Sequence, residues 1–105
     1  MNKYDDFVKR LTAAVLDSRG ETAPELRRAI ASRKMSDVPA ALRSYVEKVS
    51  QHAYKVSDDD IAALKRAGYS EDQIFEVTAA AAVGAALARM EKGLSALEQS
   101  RGELS

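Results

Sequence analysis

The sequence contains few side chains that could perform acid–base or covalent chemistry. Of its 105 residues, none is cysteine and only His52 is histidine. Because histidine titrates near neutral pH, His52 is the first candidate for a general base, with Tyr54 or Arg89 orienting a substrate beside it. The alternative role of His52 is structural, since a positive side chain at the end of a helix complements the helix dipole. Both interpretations stay open at the level of sequence.

The composition excludes several classes of site. Without cysteine the chain cannot form a disulfide, use a catalytic thiolate or hold a metal ion through sulfur. One histidine cannot build a two-histidine metal site within a single chain. We therefore predict neither a metal site nor a bound cofactor.

The charges are balanced in number but not in position. With 16 basic and 16 acidic residues the formal net charge is zero, so nucleic acid is not expected as a partner, because phosphate binding needs a surplus of lysine and arginine. Residues 1–52 carry a net charge of +3 and residues 53–105 a net charge of −3, which favours packing within the chain or between subunits. One such contact would join Arg27-Arg28 and Arg33-Lys34 to the acidic run at residues 58–60, in this or another subunit.

Apolar residues recur at helical spacing in five segments, and no segment alternates as a strand does. The sequence therefore predicts an all-α fold of about five helices. We expect one helical domain over residues 1–98, ending in a long alanine-rich helix, and a frayed polar tail over residues 99–105. The least polar run, residues 77–88, is too short to span a bilayer, and the N-terminal residues lack the apolar core of a signal peptide. A cytoplasmic protein with no membrane partner is expected.

Capping residues mark where these helices begin. Thr22 with Glu25 and Ser70 with Gln73 have the spacing of a capping box. Gly68 is expected to end the fourth helix. The predicted caps of the second to fifth helices are Thr22, Ser36 or Asp37, Ser57 and Ser70.

Small residues form a stripe on the last helix. Ala80, Gly84 and Ala88 recur every four residues, and such a stripe lets another backbone approach closely. The stripe either seats a neighbouring helix of the same chain or forms a subunit interface. Both roles can hold at once, and the second predicts a homo-oligomer.

A more specific pattern covers residues 45–97, where a helix, a short capped helix, a Gly-Tyr turn and a long helix follow one another. These residues resemble the C-terminal part of the alkylhydroperoxidase D-like, or carboxymuconolactone decarboxylase, superfamily. A helix-turn-helix DNA reader uses a similar corner, but its second helix would here present Glu71, Asp72 and Glu76 to phosphate. The segments that carry the resemblance are, in order, Tyr45-Val-Glu-Lys-Val49, Val56-Ser-Asp-Asp-Asp-Ile61, Leu64-Lys-Arg-Ala-Gly68 and Ser70-Glu-Asp-Gln-Ile74.

The resemblance implies a helical fold of the alkylhydroperoxidase D type and assembly into homo-oligomers. Redox-active members carry Cys-x-x-Cys with a nearby Glu and His, one thiolate attacking and the other resolving the mixed disulfide. No residue before Tyr45 is cysteine or histidine, so the chain cannot be a thiol peroxidase or disulfide reductase. The decarboxylase branch relies on histidine-rich sites, which His52 alone does not reproduce.

Three functional hypotheses follow from the sequence. The leading one is a non-enzymatic helical protein that associates with itself through the alanine-rich helix and binds a small apolar ligand between subunits. The second is a lyase or hydrolase acting on a small carboxylated compound, with His52 as base and Tyr54 or Arg89 orienting the substrate. The third is an accessory module that docks on a larger enzyme through the same helix.

Overall fold

The computed structural model describes the backbone of residues 3–104 and the side chains of residue 3 and residues 5–102. Within these residues the fold is all-α, as predicted, and contains no strand. Tyr4, expected on the apolar side of the first helix, and Ser105, in the predicted tail, have side chains outside the described set. The helices are α1 (Lys3–Thr12), α2 (Pro24–Ala31), α3 (Ala40–His52), α4 (Asp58–Arg66) and α5 (Glu71–Leu104).

The two C-terminal helices begin at the predicted caps. At α4 the Ser57 hydroxyl accepts from the Asp60 N–H at 3.4 Å, and the Asp60 carboxylate accepts from the Ser57 N–H at 2.9 Å. At α5 the Ser70 N–H donates to Gln73 Oε1 at 2.8 Å, and the Gln73 N–H donates to Ser70 Oγ at 3.1 Å. Gly68 follows α4 with φ +103° and ends the helix as predicted. Glycine suits this position because the left-handed conformation strains any residue with a Cβ.

Three boundaries differ from the sequence prediction. Thr22 does not cap α2, whose N-cap is Ala23 without a side-chain bond; its hydroxyl instead donates to Glu76 at 2.6 Å. The predicted caps of the third helix lie in a separate 3₁₀ turn, Met35–Asp37, and α3 begins after Pro39. Helix α5 continues to residue 104, through the segment expected to be a frayed tail.

Helix α5 is the central element of the fold. Helices α2 and α3 pack along its N-terminal half, and α4 closes the corner between α3 and α5. Helix α1 continues as a π-helical turn, Ala13–Asp17, that packs against α2 and α5. In the core, the Tyr45 hydroxyl and Thr78 Oγ1 form a hydrogen bond of 2.6 Å. The most completely buried apolar side chains are Ile30, Val38, Leu42, Val46, Val77, Ala80 and Ala81.

The crossing of α2 over α5 is close enough to require glycine. A Cβ built on Gly84 would lie 2.7 Å from the Cα of Ala31 and 2.8 Å from its carbonyl carbon. These are backbone atoms of the last residue of α2, so they cannot turn aside as a flexible side chain would. The two helices therefore pack backbone to backbone at this point.

Beyond this crossing α5 lies mostly in solvent. Its 34 residues span about 51 Å at 1.5 Å per residue, against a longest molecular dimension of 56 Å. Every residue from 89 to 102 is exposed to solvent. None of the helices in residues 3–104 is long and apolar enough to cross a bilayer.

Substituting Gly84 and Gly93 of α5 should shift stability in opposite directions. Gly84→Ala should lower the free energy of unfolding by about 1–3 kcal/mol, because the new methyl group overpacks the crossing. Gly93→Ala should raise it by up to about 1 kcal/mol, because alanine is the better helix former and nothing lies within 4 Å of the new Cβ. Urea unfolding followed by circular dichroism measures both values. Equal effects of the two substitutions would contradict the close crossing.

Candidate functional site

The structure does not bring the three candidate catalytic residues around a common cavity. His52 and Tyr54 both lie on the surface at the end of α3, with Tyr54 81% exposed. Their rings meet edge to face, with centroids 6.0 Å apart. Arg89 lies on α5 and donates to the Ser50 carbonyl at 3.3 Å. A general base needs a concave pocket with converging polar groups, and this arrangement of His52 does not supply one.

The stripe of small residues faces the inside of the molecule. Ala80 is fully buried, Gly84 contacts the end of α2, and Ala88 is partly buried beside it. The core role considered for the stripe is therefore the one that the structure shows. An interface through Ala80 and Gly84 would require α2 to leave α5, so these residues cannot present themselves to a second chain in this fold.

A second apolar surface runs along the opposite side of α5. We call it the outer face. At 100° per residue, Leu94 lies about 140° around the helix axis from the buried Ala81. The large side chains of this face are exposed: Phe75 by 72%, Leu94 by 44% and Leu97 by 49%. The outer face comprises Phe75, Ala79, Ala82, Val83, Ala86, Met90, Leu94 and Leu97.

The outer face is long, continuous and without charge. From Phe75 to Leu97 it extends about 33 Å, and α5 has no charged residue between positions 77 and 88. Helices that are apolar on two sides bury both of them in soluble proteins, and a contiguous exposed apolar patch larger than a few hundred Å² marks an interaction surface. The periodicity of α5 contained this signal, but periodicity alone does not say which apolar side faces the core.

Charged residues in the C-terminal half of α5 flank the outer face with opposite signs. By helical geometry Glu91 and Glu98 lie on the side nearer α1, and Arg89 lies on the other side. The two glutamates line a groove between α1 and α5, together with Val8 and Leu94. The outer face is thus an apolar strip between an acidic border and a basic border.

A second groove lies between α2 and α5, beside the Gly84 crossing. Its volume is about 520 Å³, and Leu16, Leu87 and Ala88 provide apolar walls. Arg28, which also lines it, forms an ion pair with Asp17 at 2.6 Å. This groove lies within one chain, whereas the sequence hypothesis places an apolar ligand between subunits.

Among the described residues, no ion pair joins the basic pairs to the acidic run at residues 58–60. Asp60 pairs with Lys48 at 2.9 Å, and Arg28 pairs with Asp17. Arg27 is 2% exposed; its guanidinium donates to the Val15 carbonyl at 2.9 Å and to the Ser18 carbonyl. Each of these charged groups thus has a partner within 12 residues, and Arg27 and Arg28 do not need the acidic run at residues 58–60 to satisfy them.

Glu76 has a structural role that the sequence pattern does not predict. Its carboxylate accepts from the Thr22 hydroxyl at 2.6 Å, from the Thr22 N–H at 2.9 Å and from the Glu21 N–H at 2.7 Å. Burial raises the pKa of Glu76, but these hydrogen bonds and the nearby charge of Arg27 outweigh it, so that the pKa is lowered overall. Every bond attaches the α1–α2 loop to α5, which makes Glu76 a structural anchor.

Acid should lower the stability of the fold by protonating Glu76, and Glu76→Gln should remove this pH dependence. Because the pKa of Glu76 is lowered in the folded state, its stabilisation is complete above the ordinary glutamate value of 4.5. The stabilisation is lost as the pH falls below that value, through the folded-state pKa. Glu76→Gln should cost about 1–3 kcal/mol at neutral pH, since bonds to a charged acceptor are stronger. It should also flatten the fall in stability between about pH 6 and pH 3.

Chemical unfolding across this pH range measures the effect, with Glu47→Gln on α3 as the control. Glu47 is exposed, so its substitution should leave the steep fall with acid in place. A Glu76→Gln protein whose stability falls as steeply with acid as the parent would contradict the assigned role of the carboxylate.

Comparison with known proteins finds no family model, curated protein or solved structure that matches this chain. The resemblance of residues 45–97 to the alkylhydroperoxidase D-like superfamily therefore stays a prediction. The candidate functional surface rests on the geometry of α5 alone.

Proposed function

We propose that this chain is a self-associating helical protein whose outer face on α5 pairs with the outer face of a second copy. The observation that carries the proposal is the exposed, uncharged strip from Phe75 to Leu97 on a helix whose opposite side already forms the core. Pairing would remove these side chains from water, which is favourable by roughly 25 cal/mol per Å² of apolar area.

The small residues of the outer face favour another helix as its occupant. Ala79, Ala82 and Ala86 have only methyl side chains, so a second backbone can approach closely along the middle of the strip. The larger Met90, Leu94 and Leu97 follow toward the C-terminus, where the two helices would interdigitate. An outer face that pairs with itself forms a closed two-fold dimer.

The charged borders favour a parallel arrangement of the two helices. In a parallel pair the acidic border of one copy, with Glu91 and Glu98, faces the basic border of the other, with Arg89. In an antiparallel pair each border faces its own kind, so Arg89 of one copy does not face Glu91 or Glu98 of the other. Such charge patterns set the orientation of paired helices more than their affinity.

The family relationship is proposed together with this function. The order of α3, α4, the Gly68 turn and α5 agrees with the pattern that residues 45–97 share with alkylhydroperoxidase D-like proteins. A cysteine-free relative would retain the helical scaffold and its tendency to oligomerise without thiol chemistry. Docking on a larger enzyme would use the same outer face, and the absence of self-association would favour that alternative.

A lysine in the middle of the outer face should abolish self-association. Ala86 is exposed in the single chain, so Ala86→Lys should leave the fold intact while burying an unpaired charge in the dimer, at a cost of several kcal/mol. Gln99→Lys, about 160° around the axis from Leu97, provides the matched control. Sedimentation equilibrium over a dilution series should show a dimer for the parent and the control, and a monomer for Ala86→Lys. A monomeric parent, or an Ala86→Lys dimer, would refute the proposal.

Engineered cysteines should report the orientation of the pair, because the natural chain has none. A disulfide requires Cα atoms within about 7 Å, so Leu97→Cys should cross-link with itself only in a parallel dimer. In an antiparallel dimer centred on Ala86, Leu97→Cys should instead cross-link with Phe75→Cys in a mixture of the two proteins. Gln99→Cys serves as the control for random collision. Preferential formation of the mixed product would contradict the parallel arrangement.

A further inference from the structure

Three basic side chains surround a small groove where the ends of α2 and α3 meet α5. Arg33 follows α2, while Arg89 and Lys92 project from α5 one turn apart. The groove has a volume of about 280 Å³ and also contacts Ser50 and Gln51 at the end of α3. It lies on the side of α5 away from Glu91 and Glu98.

The positive charge of this groove is not neutralised. No aspartate or glutamate lines it, and none of its three cations belongs to an ion pair among the described residues. Arg89 donates one hydrogen bond to the Ser50 carbonyl, which leaves further N–H groups of its planar guanidinium free to bind. Three like charges around a small volume repel one another, and an anion between them would remove that repulsion.

The backbone at Arg33 gives a second and independent reason to assign a function to this groove. Arg33 has φ +61°, and the turn around it is closed by bonds from the Arg33 N–H to the Ile30 carbonyl at 3.2 Å and from the Lys34 N–H to the Ala29 carbonyl at 2.9 Å. Glycine normally occupies this position at the end of a helix, because a Cβ is strained there. A strained residue whose side chain lines a groove of like charge is typical of a binding site.

We propose that this groove binds a small dianion, through a phosphate or a pair of carboxylate groups. Two arginines and a lysine offer both the planar donor geometry and the charge that such groups require. The volume lies just below the usual 300–1,000 Å³ of pockets for drug-sized molecules, so the ligand is a small compound. The site lies beside the outer face and shares only Arg89 with its basic border; its other two cations, Arg33 and Lys92, take no part in the proposed pairing.

The test is a titration of the isotope-labelled chain in low-chloride buffer, followed by the amide signals in its NMR spectrum. Inorganic phosphate and succinate are the two probes, and the one that binds identifies the head group. Saturable shifts are expected at the amides of residues 50–51 and 85–92. Arg33→Gly should weaken binding about tenfold or more, and it should raise the melting temperature because the strain at that position is relieved.

The matched control is Arg66→Gln, which removes one positive charge from an exposed position on α4. It should leave the affinity within about twofold, since a distant exposed charge is screened by solvent and salt. Arg89→Gln should weaken binding as Arg33→Gly does. The proposal is overturned if neither probe gives saturable shifts up to about 20 mM, twenty times a 1 mM Kd. It is also overturned if Arg33→Gly retains full affinity, or if Arg66→Gln weakens binding equally.

Discussion

The close crossing of α2 over α5 at Gly84 is the constraint on which the arrangement of this molecule depends. Because the Ala31 backbone contacts Gly84 directly, α2 must end at the middle of α5 and the chain must turn away immediately after it. That turn places Arg33 beside α5 and forms the small basic groove. The crossing also decides which side of α5 is buried, and so leaves the outer face to solvent.

The polar interactions hold the connections around this crossing rather than forming a reaction centre. Glu76 attaches the α1–α2 loop to α5 through three hydrogen bonds, and the buried Arg27 binds the carbonyls at the end of the π-helical turn. Both groups are charged, but their partners are mostly backbone atoms of one loop. Such groups have little capacity left for a substrate, whereas the cations of the basic groove have donors to spare.

Local signals in the sequence predicted the parts of the fold that depend on local interactions. The capping residues Ser57 and Ser70 and the turn at Gly68 use bonds within a few residues, so their spacing was sufficient to place α4 and the start of α5. Thr22 has the same local pattern as a cap, yet its hydroxyl binds Glu76, 54 residues away. A long-range partner of this kind competes with the local one, and the local sequence pattern does not indicate that such a partner exists.

The site was harder to predict than the fold for a related reason. Helix α5 is apolar on two sides, and the small-residue stripe containing Gly84 was as consistent with an interface as the outer face is. The choice between them depends on where α2 crosses, which is a property of tertiary packing. His52 is recognisable in the sequence by its chemistry, whereas the unusual feature of Arg33 is a backbone conformation, which residue type does not indicate.

The exposure of residues 89–102 along their whole length has a consequence for how this protein would respond to its own concentration. A single helix of this length is only marginally stable in water, and Gly93 weakens it further. The folded half of α5 supplies the nucleus, but each added turn gains little from the monomer. If pairing covers the outer face, it also stabilises this part of the helix. The extent of ordered helix and the fraction of paired chains would then rise together with protein concentration.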